Sequence, residues 1–310
     1  MKSWLLVISA LLLPISILSA DEPAKPLFER KQDIIYGRKQ GTALTMDVVT
    51  PTGARNGAGV IAVISGGWRS SHDEIRNGIQ LSDEVLKRGY TIFAVVHGSQ
   101  PKYSIPECID DLTRAVRFIR HNAKDYGVDP DRIGITGASS GCHLSLMIGV
   151  NGADGQPKAK DPVERESCRV QAVAGFFPPT DFFNYGREGT TAEVLTRAGP
   201  FAAAFDFKER ELLTNNWKPV SDTRRKEILK EICPIYHVTP QTPPTLLIHG
   251  DQDYLVPLQQ SRIMIDKLKS ENVPCELIVH PGGGHGWRGI EKDVSKIADW
   301  FDKYLVKKDK

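Results

Sequence analysis

Between residues 134 and 143 the chain reads GITGASSGCH, and Gly137-Ala138-Ser139-Ser140-Gly141 within it fits G-x-S-x-G. A strand-like run precedes the stretch and a helix-like run follows it. A reversal that sharp demands small residues two places either side of the serine, and it lifts the hydroxyl clear of the sheet. The frame therefore selects Ser139 as a nucleophile. Ser140 stands one place off, but its backbone N–H, at the start of the helix, faces an oxyanion formed at Ser139.

A serine is a weak nucleophile at neutral pH. It needs a base within hydrogen-bond reach and a further group to orient that base. Of the eight histidines, His285 in HPGGGHGW follows the last strand-like run on a glycine loop able to carry an imidazole over the sheet. His121 suits a helix C-terminus, His143 lies on the helix behind the elbow and reads as structural, and His97 and His249 end strands where they could line a pocket. For the acid, LLIHGDQDYLVP offers Asp251 and Asp253, of which Asp253 is preferred, and Asp181 in FFPPTDFF competes. The order Ser139, Asp253, His285 is one of the chain orders in which this constellation occurs. A second oxyanion donor comes from the loop VISGGWRSSH, through Gly66 or Gly67, with Trp68 and His97 placed to contact substrate.

These residues need a scaffold. GVIAVI and YTIFAVV are nearly continuous apolar runs, as strands buried on both faces should be; RIGITGA reads as a short strand, VQAVAGFF as another buried strand, and TLLIHG and CELIVH as further strands. TALTMDVVTP alternates and reads as an antiparallel edge strand. Helices are expected over SDEVLKRGY, over 106–127, from Ser140, from Pro257 and at the end of the chain, where Val294, Ile297, Ala298, Phe301 and Leu305 share a face. Strands alternating with helices imply an α/β fold with a doubly wound, mostly parallel sheet, whose ligands sit at the carboxyl ends of the strands. Each candidate above falls at such an end. The rhythm breaks at about 183–243, too long for a simple connection and helix-prone, which reads as an inserted helical cap. Its Phe201, Phe205, Phe207 and Trp217 are expected mostly to form the cap's own core.

The chain has 310 residues, 40% hydrophobic and 25% charged, with a formal net charge of +2. Such a balance does not suggest nucleic acid or an acidic membrane surface as a partner. Residues 1–20 hold one lysine, an apolar run from Trp4 to Leu18 and then Ser19-Ala20. That layout implies a secretory signal peptide preceding a catalytic domain over 21–310, with no other segment apolar enough to span a bilayer. The five cysteines match no zinc or CxxC spacing, and no metal or organic cofactor is expected.

Taken together, GYTIFAVVHGS, PECIDDLTRAVRFIRHNAKDYGVDPDRIGITGASSGCHLSL, PPTLLIHGDQDYLVPLQQS and GGGHGW resemble the α/β-hydrolases of the esterase/lipase group that includes acetyl xylan esterase-like and feruloyl esterase-like enzymes, with prolyl oligopeptidases as more distant relatives. The resemblance covers about residues 42–306 and implies Ser139 as nucleophile, Asp253 as acid and His285 as base. It implies ester hydrolysis, often of acylated plant polysaccharide. The group's HGGGW loop matches in part, because Ile64 stands where its loop-bracing histidine would and Ser65 replaces the first glycine. The expectation is an exported serine esterase acting on a small-molecule or polysaccharide ester. A serine peptidase of the prolyl oligopeptidase kind is the alternative, although the short stretch before the first hydrolase strand argues against the large gating domain such enzymes carry. A catalytically dead binding module is a third reading, opposed by the intact residue set.

Overall fold

The computed structural model describes residues 27–306, apart from 77, 79–82, 193–195 and 212. The expected signal peptide and the C-terminal KKDK thus lie outside the described residues. Two long strands open the fold, β1 (Phe28–Lys39) and β2 (Thr42–Pro51), followed by β3 (Gly59–Ile64), helix α1 (Asp83–Lys87), β4 (Thr91–Val96), α2 (Ile105–His121), β5 (Ile133–Ala138), α3 (Ser140–Val150) and β6 (Ala172–Phe176). A two-stranded hairpin, β7 (Lys208–Arg210) and β8 (Trp217–Pro219), and helix α4 (Asp222–Glu231) come next, then β9 (Thr245–Gly250), α5 (Gln259–Ser270), β10 (Cys275–His280) and α6 (Val294–Leu305).

Eight strands form one sheet in the order β1-β2-β4-β3-β5-β6-β9-β10. From β4 to β10 all pairings are parallel, while β1–β2 and β2–β4 are antiparallel. Alternate residues of the central strands feed two separate cores, since side chains point to opposite faces with a period of two. Ile61, Val63, Phe93 and Val95 join Leu112, Val116, Leu144 and Met264 on one side. Val60, Ala62, Ile92 and Ala94 join Val85, Leu86, Ile297 and Phe301 on the other. Burial on both faces is why these strands read as unbroken apolar runs.

Two expectations are corrected. The edge strand is β1, not β2, for β2 is sandwiched between β1 and β4. β1 is FERKQDIIYGRK, a polar sequence interrupted by register shifts between Lys31 and Ile34 and between Ile35 and Gly37, which erase its alternation. The insertion at 183–243 is also far less helical than expected. Among its described residues α-helix is confined to α4 and Thr196; the rest is the hairpin, 3₁₀ turns and irregular chain. Its Phe205 and Phe207 are buried, as expected of a local core, whereas Trp217 is exposed on the hairpin. All five cysteines are free thiols, and Cys142 is buried as a packing residue behind the elbow.

Candidate functional site

Ser139 joins β5 to α3 with φ 54° and ψ −121°, a conformation that costs a non-glycine residue on the order of 1–3 kcal/mol. The surroundings hold it there. The Ser139 N–H donates to Phe176 O and its carbonyl accepts from His143 N–H, both at 2.9 Å. The framing glycines are required by contact as well as by turn. A Cβ on Gly137 would lie 2.5 Å from the Gly141 carbonyl carbon, and one on Gly141 would lie 2.9 Å from Val63 O. No side chain fits between β5, β3 and the helix that starts here.

His285 reaches Ser139 from the loop after β10. Gly250, at the end of β9, makes that approach possible, since a Cβ there would lie 2.1 Å from Gly283 O. The two loops are then stitched by Gln252 N–H donating to Gly283 O at 2.8 Å. His285 Nε2 stands 2.9 Å from Ser139 Oγ, and its Nδ1 stands 2.7 Å from Asp253 Oδ2. With the ring proton on Nδ1 and directed at the carboxylate, Nε2 is the acceptor of the serine proton.

Asp253 is buried and well supplied with donors. Its Oδ1 accepts from the Leu255 and Val256 amides at 2.9 Å each, and His249 Nε2 lies 3.3 Å from Oδ2. Burial pushes this carboxyl up, but hydrogen bonds from His249, His285 and the Val256 amide outweigh it and hold the group well below the usual carboxylate range. It stays an anion facing the imidazole. His249 is itself fully buried, with Nε2 2.8 Å from Val256 O and Nδ1 2.7 Å from Ser261 Oγ. An acceptor-only carbonyl and carboxylate on the Nε2 side set the tautomer with its proton there. The competing acid Asp181 is spent elsewhere: its carboxylate accepts from the Phe183 and Asn184 amides, Asn184 Nδ2 and Tyr236 Oη. Asp251 likewise takes the Gly282 amide at 2.7 Å.

The loop after β3 is a tight turn. Gly66 and Arg69 exchange both backbone hydrogen bonds, and Gly67 and Trp68 between them have φ 56° and 59°. Positive φ at both central residues is the mark of a type I′ turn. Gly66 is therefore corrected as an oxyanion donor, because its N–H already donates to Arg69 O at 2.9 Å. Among the described residues the N–H of Gly67 has no partner, and neither has that of Ser140 at the first turn of α3. Ser65 Oγ and Ser140 Oγ, 3.0 Å apart, hold this loop against the elbow.

The two proposed substrate contacts are also corrected. Trp68 is 3% exposed, its indole packed among Phe182, Phe201, Phe205 and His143. His97 is 3% exposed, its Nδ1–H turned onto Gly98 O and its amide bonded to Ser70 Oγ. Burial drives its pKa down to about 4, so the ring is neutral. Position after a strand placed both near the site, but residues of the insertion cover Trp68, and His97 is buried with its polar atoms turned to Ser70 and Gly98. Phe177 was missed. It follows β6 with φ 36°, and its ring centroid lies 4.5 Å from that of His285. Gln100 was missed too; its Nε2 donates to Gly67 O at 2.5 Å. A cavity of about 480 Å³ lined by Val63, Ile64, Gly66, Ala138, Phe176 and Val294, among others, lies beside these elements, but none of the three hydrogen-bonded residues is in its described wall.

The family model BD-FAE matches residues 46–268. The chain belongs to the BD-FAE family. Ser139 and Asp253 fall inside the match and His285 beyond it. Esterase LipC of Mycobacterium tuberculosis (strain ATCC 25618 / H37Rv) is 28% identical over 230 residues, 74% of this chain and 52% of that protein. This BD-FAE member thus spans about half the length of the curated relatives it matches. Among solved structures, a truncated carbohydrate esterase from gut microbiota superimposes with a TM-score of 0.71 at 24% identity, over 92% of this chain and 99% of that one. A bifunctional GH43-CE protein of Bacteroides eggerthii gives 0.69 at 26% identity, over 88% and 38%. These likenesses bear out the α/β-hydrolase fold expected from the strand and helix pattern. Among the described residues no helix is long and apolar enough to cross a membrane.

Proposed function

We propose that this chain is a serine hydrolase of carboxylic esters that works through an acyl-enzyme on Ser139. The observation that carries the reading is the continuous hydrogen-bonded line Asp253–His285–Ser139 on the three segments that follow the carboxyl ends of β9, β10 and β5. His285 Nε2 takes the hydroxyl proton as Ser139 Oγ attacks the ester carbonyl. The tetrahedral oxyanion is met by the N–H groups of Ser140 and Gly67. His285 returns the proton to the leaving alcohol, and water then repeats the sequence to free the acid. Asp253, kept anionic, holds the imidazole in the required tautomer and offsets its transient positive charge.

The preferred acyl group is short and the alcohol side is a sugar. The first part is supported by the insertion, whose helix DTRRKEILKE buries only Ile228 and offers charge, not an apolar lipid-binding face. The second is supported by the carbohydrate esterase likenesses, and by Tyr254 next to Asp253, 91% exposed and able to present a ring to a sugar. Export is supported by the layout of residues 1–20. The test is a fluorophosphonate label mapped by peptide sequencing, together with kcat/KM on p-nitrophenyl acetate, butyrate and octanoate and on acetylated xylan. Labelling at Ser139 and a fall from acetate to octanoate are expected. Absence of labelling, or peptide turnover without ester turnover, overturns the reading.

A further inference from the structure

The partial HGGGW match leaves a physical question: what holds the turn at 65–69, given that Ile64 occupies the bracing position? The turn carries two residues at positive φ, one of them a tryptophan. A non-glycine residue there is strained and stays only if other contacts over-determine it.

We propose that His143 is the missing brace, a positioning residue that fixes Trp68, and through it the Gly67 amide, against the nucleophile elbow while tying both to the insertion. Trp68 Nε1–H donates to His143 Nδ1 at 3.2 Å, and His143 Nε2–H donates to Ile232 O at 2.7 Å. Each partner belongs to a different part of the fold. Trp68 is the second central residue of the oxyanion turn, His143 lies one helical turn after Ser139 on α3, and Ile232 caps α4 in the insertion. The His143 amide itself donates to Ser139 O, so the brace is anchored on the nucleophile's own peptide.

The ring is 0% exposed and both nitrogens are occupied, so water offers no substitute for either bond. Burial lowers its pKa to about 4, which keeps Nδ1 free to accept. The indole is boxed in by Phe182, Phe201 and Phe205, with Phe205 edge-on at 5.1 Å. Phe201 also closes over Gly67, where a Cβ would lie 2.4 Å from its Cε1. On the other side Gln100 Nε2 holds the Gly67 carbonyl. The turn is thereby clamped at its carbonyl by Gln100 and at its tryptophan by His143. The Gly67 N–H has one orientation left, and docking of the insertion is part of setting it.

The inference rests on the ester-hydrolase reading, and its test separates the two. An oxyanion donor acts on the transition state, so its displacement lowers kcat and leaves KM nearly unchanged. Trp68→Phe, which deletes the indole N–H, should lower kcat on p-nitrophenyl acetate about tenfold, less than the loss of a whole donor. Affinity for a boronic acid that mimics the tetrahedral adduct should fall by the same factor. His143→Leu should do likewise, and the double variant should be no worse than the worse single one. His143→Gln, which can accept from Trp68 at Oε1 and donate to Ile232 at Nε2, should restore most of kcat. If His143→Leu fails to fold, Trp68→Phe and His143→Gln still decide the matter. A loss confined to KM, unchanged boronate affinity in Trp68→Phe, or strict additivity of the two changes overturns the brace. Wild-type protein that turns over no ester at Ser139 overturns the underlying reading instead.

Discussion

The elbow and the oxyanion turn face each other across the Ser65–Ser140 contact and are built on opposite plans. The elbow is specified locally. Five consecutive residues, the strand before them and the helix after them determine its shape, and the glycines are demanded by backbone atoms within 3 Å of where their Cβ atoms would be. The turn is specified from afar. It leans on residues 75 positions away at His143, 33 away at Gln100 and 131 away at Pro200, which accepts from Arg69. Chemistry that must not vary is thus held by the backbone, while the part that sets how well the oxyanion is met is held by side chains of the insertion and its neighbours. Changes in the first should be all-or-none, and changes in the second graded.

The largest effect belongs to the elbow. Ser139→Ala should lower ester kcat by about 10⁶, the scale seen when a hydrolase loses its nucleophile. Ser140→Ala deletes only a hydroxyl paired with Ser65 and should keep kcat within about threefold, because the N–H remains to act as donor. Steady-state rates on p-nitrophenyl acetate compare them, and equal losses would erase the distinction between frame and neighbour.

Next comes the acid. Asp253→Asn should cost about 10⁴ in kcat through the wrong imidazole tautomer. Asp181→Asn should leave kcat nearly intact and lower thermal stability instead, since it weakens a carboxylate hub that accepts from Phe183, Asn184 and Tyr236. The reverse ranking would relocate the acid to the end of β6.

The turn offers a sharper contrast between adjacent glycines. Gly67→Ala meets φ 56° and the Phe201 ring, so kcat should fall about 10- to 100-fold as the donor shifts. A Cβ on Gly66 meets nothing within 4 Å, and its N–H is already committed to Arg69. Gly66→Ala should therefore change kcat less than about threefold. Similar losses at both positions would return Gly66 to the role of donor.

The same division explains what the sequence made legible. Runs such as GVIAVI and TLLIHG are long enough and apolar enough to declare buried parallel strands, and the glycine frame with its strand and helix declares Ser139. Asp253 and His285 follow from loop position and chain order. Trp68 reads as a substrate contact because burial by a distant insertion leaves no trace in its own neighbourhood, and His97 does so because a strand end does not show that its ring turns back onto Gly98. The polarity of β1 hid a strand whose partner is β2, and the helix-prone composition of 183–243 hid a segment held mostly by side-chain contacts. His249 and His143 were visible as residues at suggestive places. Their partners, Asp253, Trp68 and Ile232, are set by folding and not by spacing.

The smallest effect on turnover at neutral pH, and a direct probe of the side-chain-built half, comes from the two buried histidines. His97 and His143 have pKa values lowered from 6.5 to about 4, in both cases chiefly by burial. The unfolded chain takes up a proton at each near pH 6.5, whereas the folded protein does so only near pH 4. Below 6.5 the unfolded state therefore binds more protons, and stability falls as pH falls. Each ring contributes a slope of about 1.4 kcal/mol per pH unit across that window, to a total of roughly 3 kcal/mol by pH 4. Asp253 has the opposite protonation chemistry and a depressed pKa, so its stabilisation is lost only below the ordinary carboxylate range. Burial raises Asp110 and Asp111, which works against the histidine slope near its acid end, and a comparison of variants cancels that contribution. Urea midpoints between pH 7 and pH 4.5 should fall steeply for the wild type. His97→Gln and His143→Gln should each flatten the profile by about one proton, because glutamine does not titrate. At pH 7 their midpoints reflect only packing and hydrogen bonding. A wild-type profile flat to pH 4.5, or variants parallel to it, would mean that these rings are reached by water, and that the turn and the end of β4 are looser than the elbow beside them.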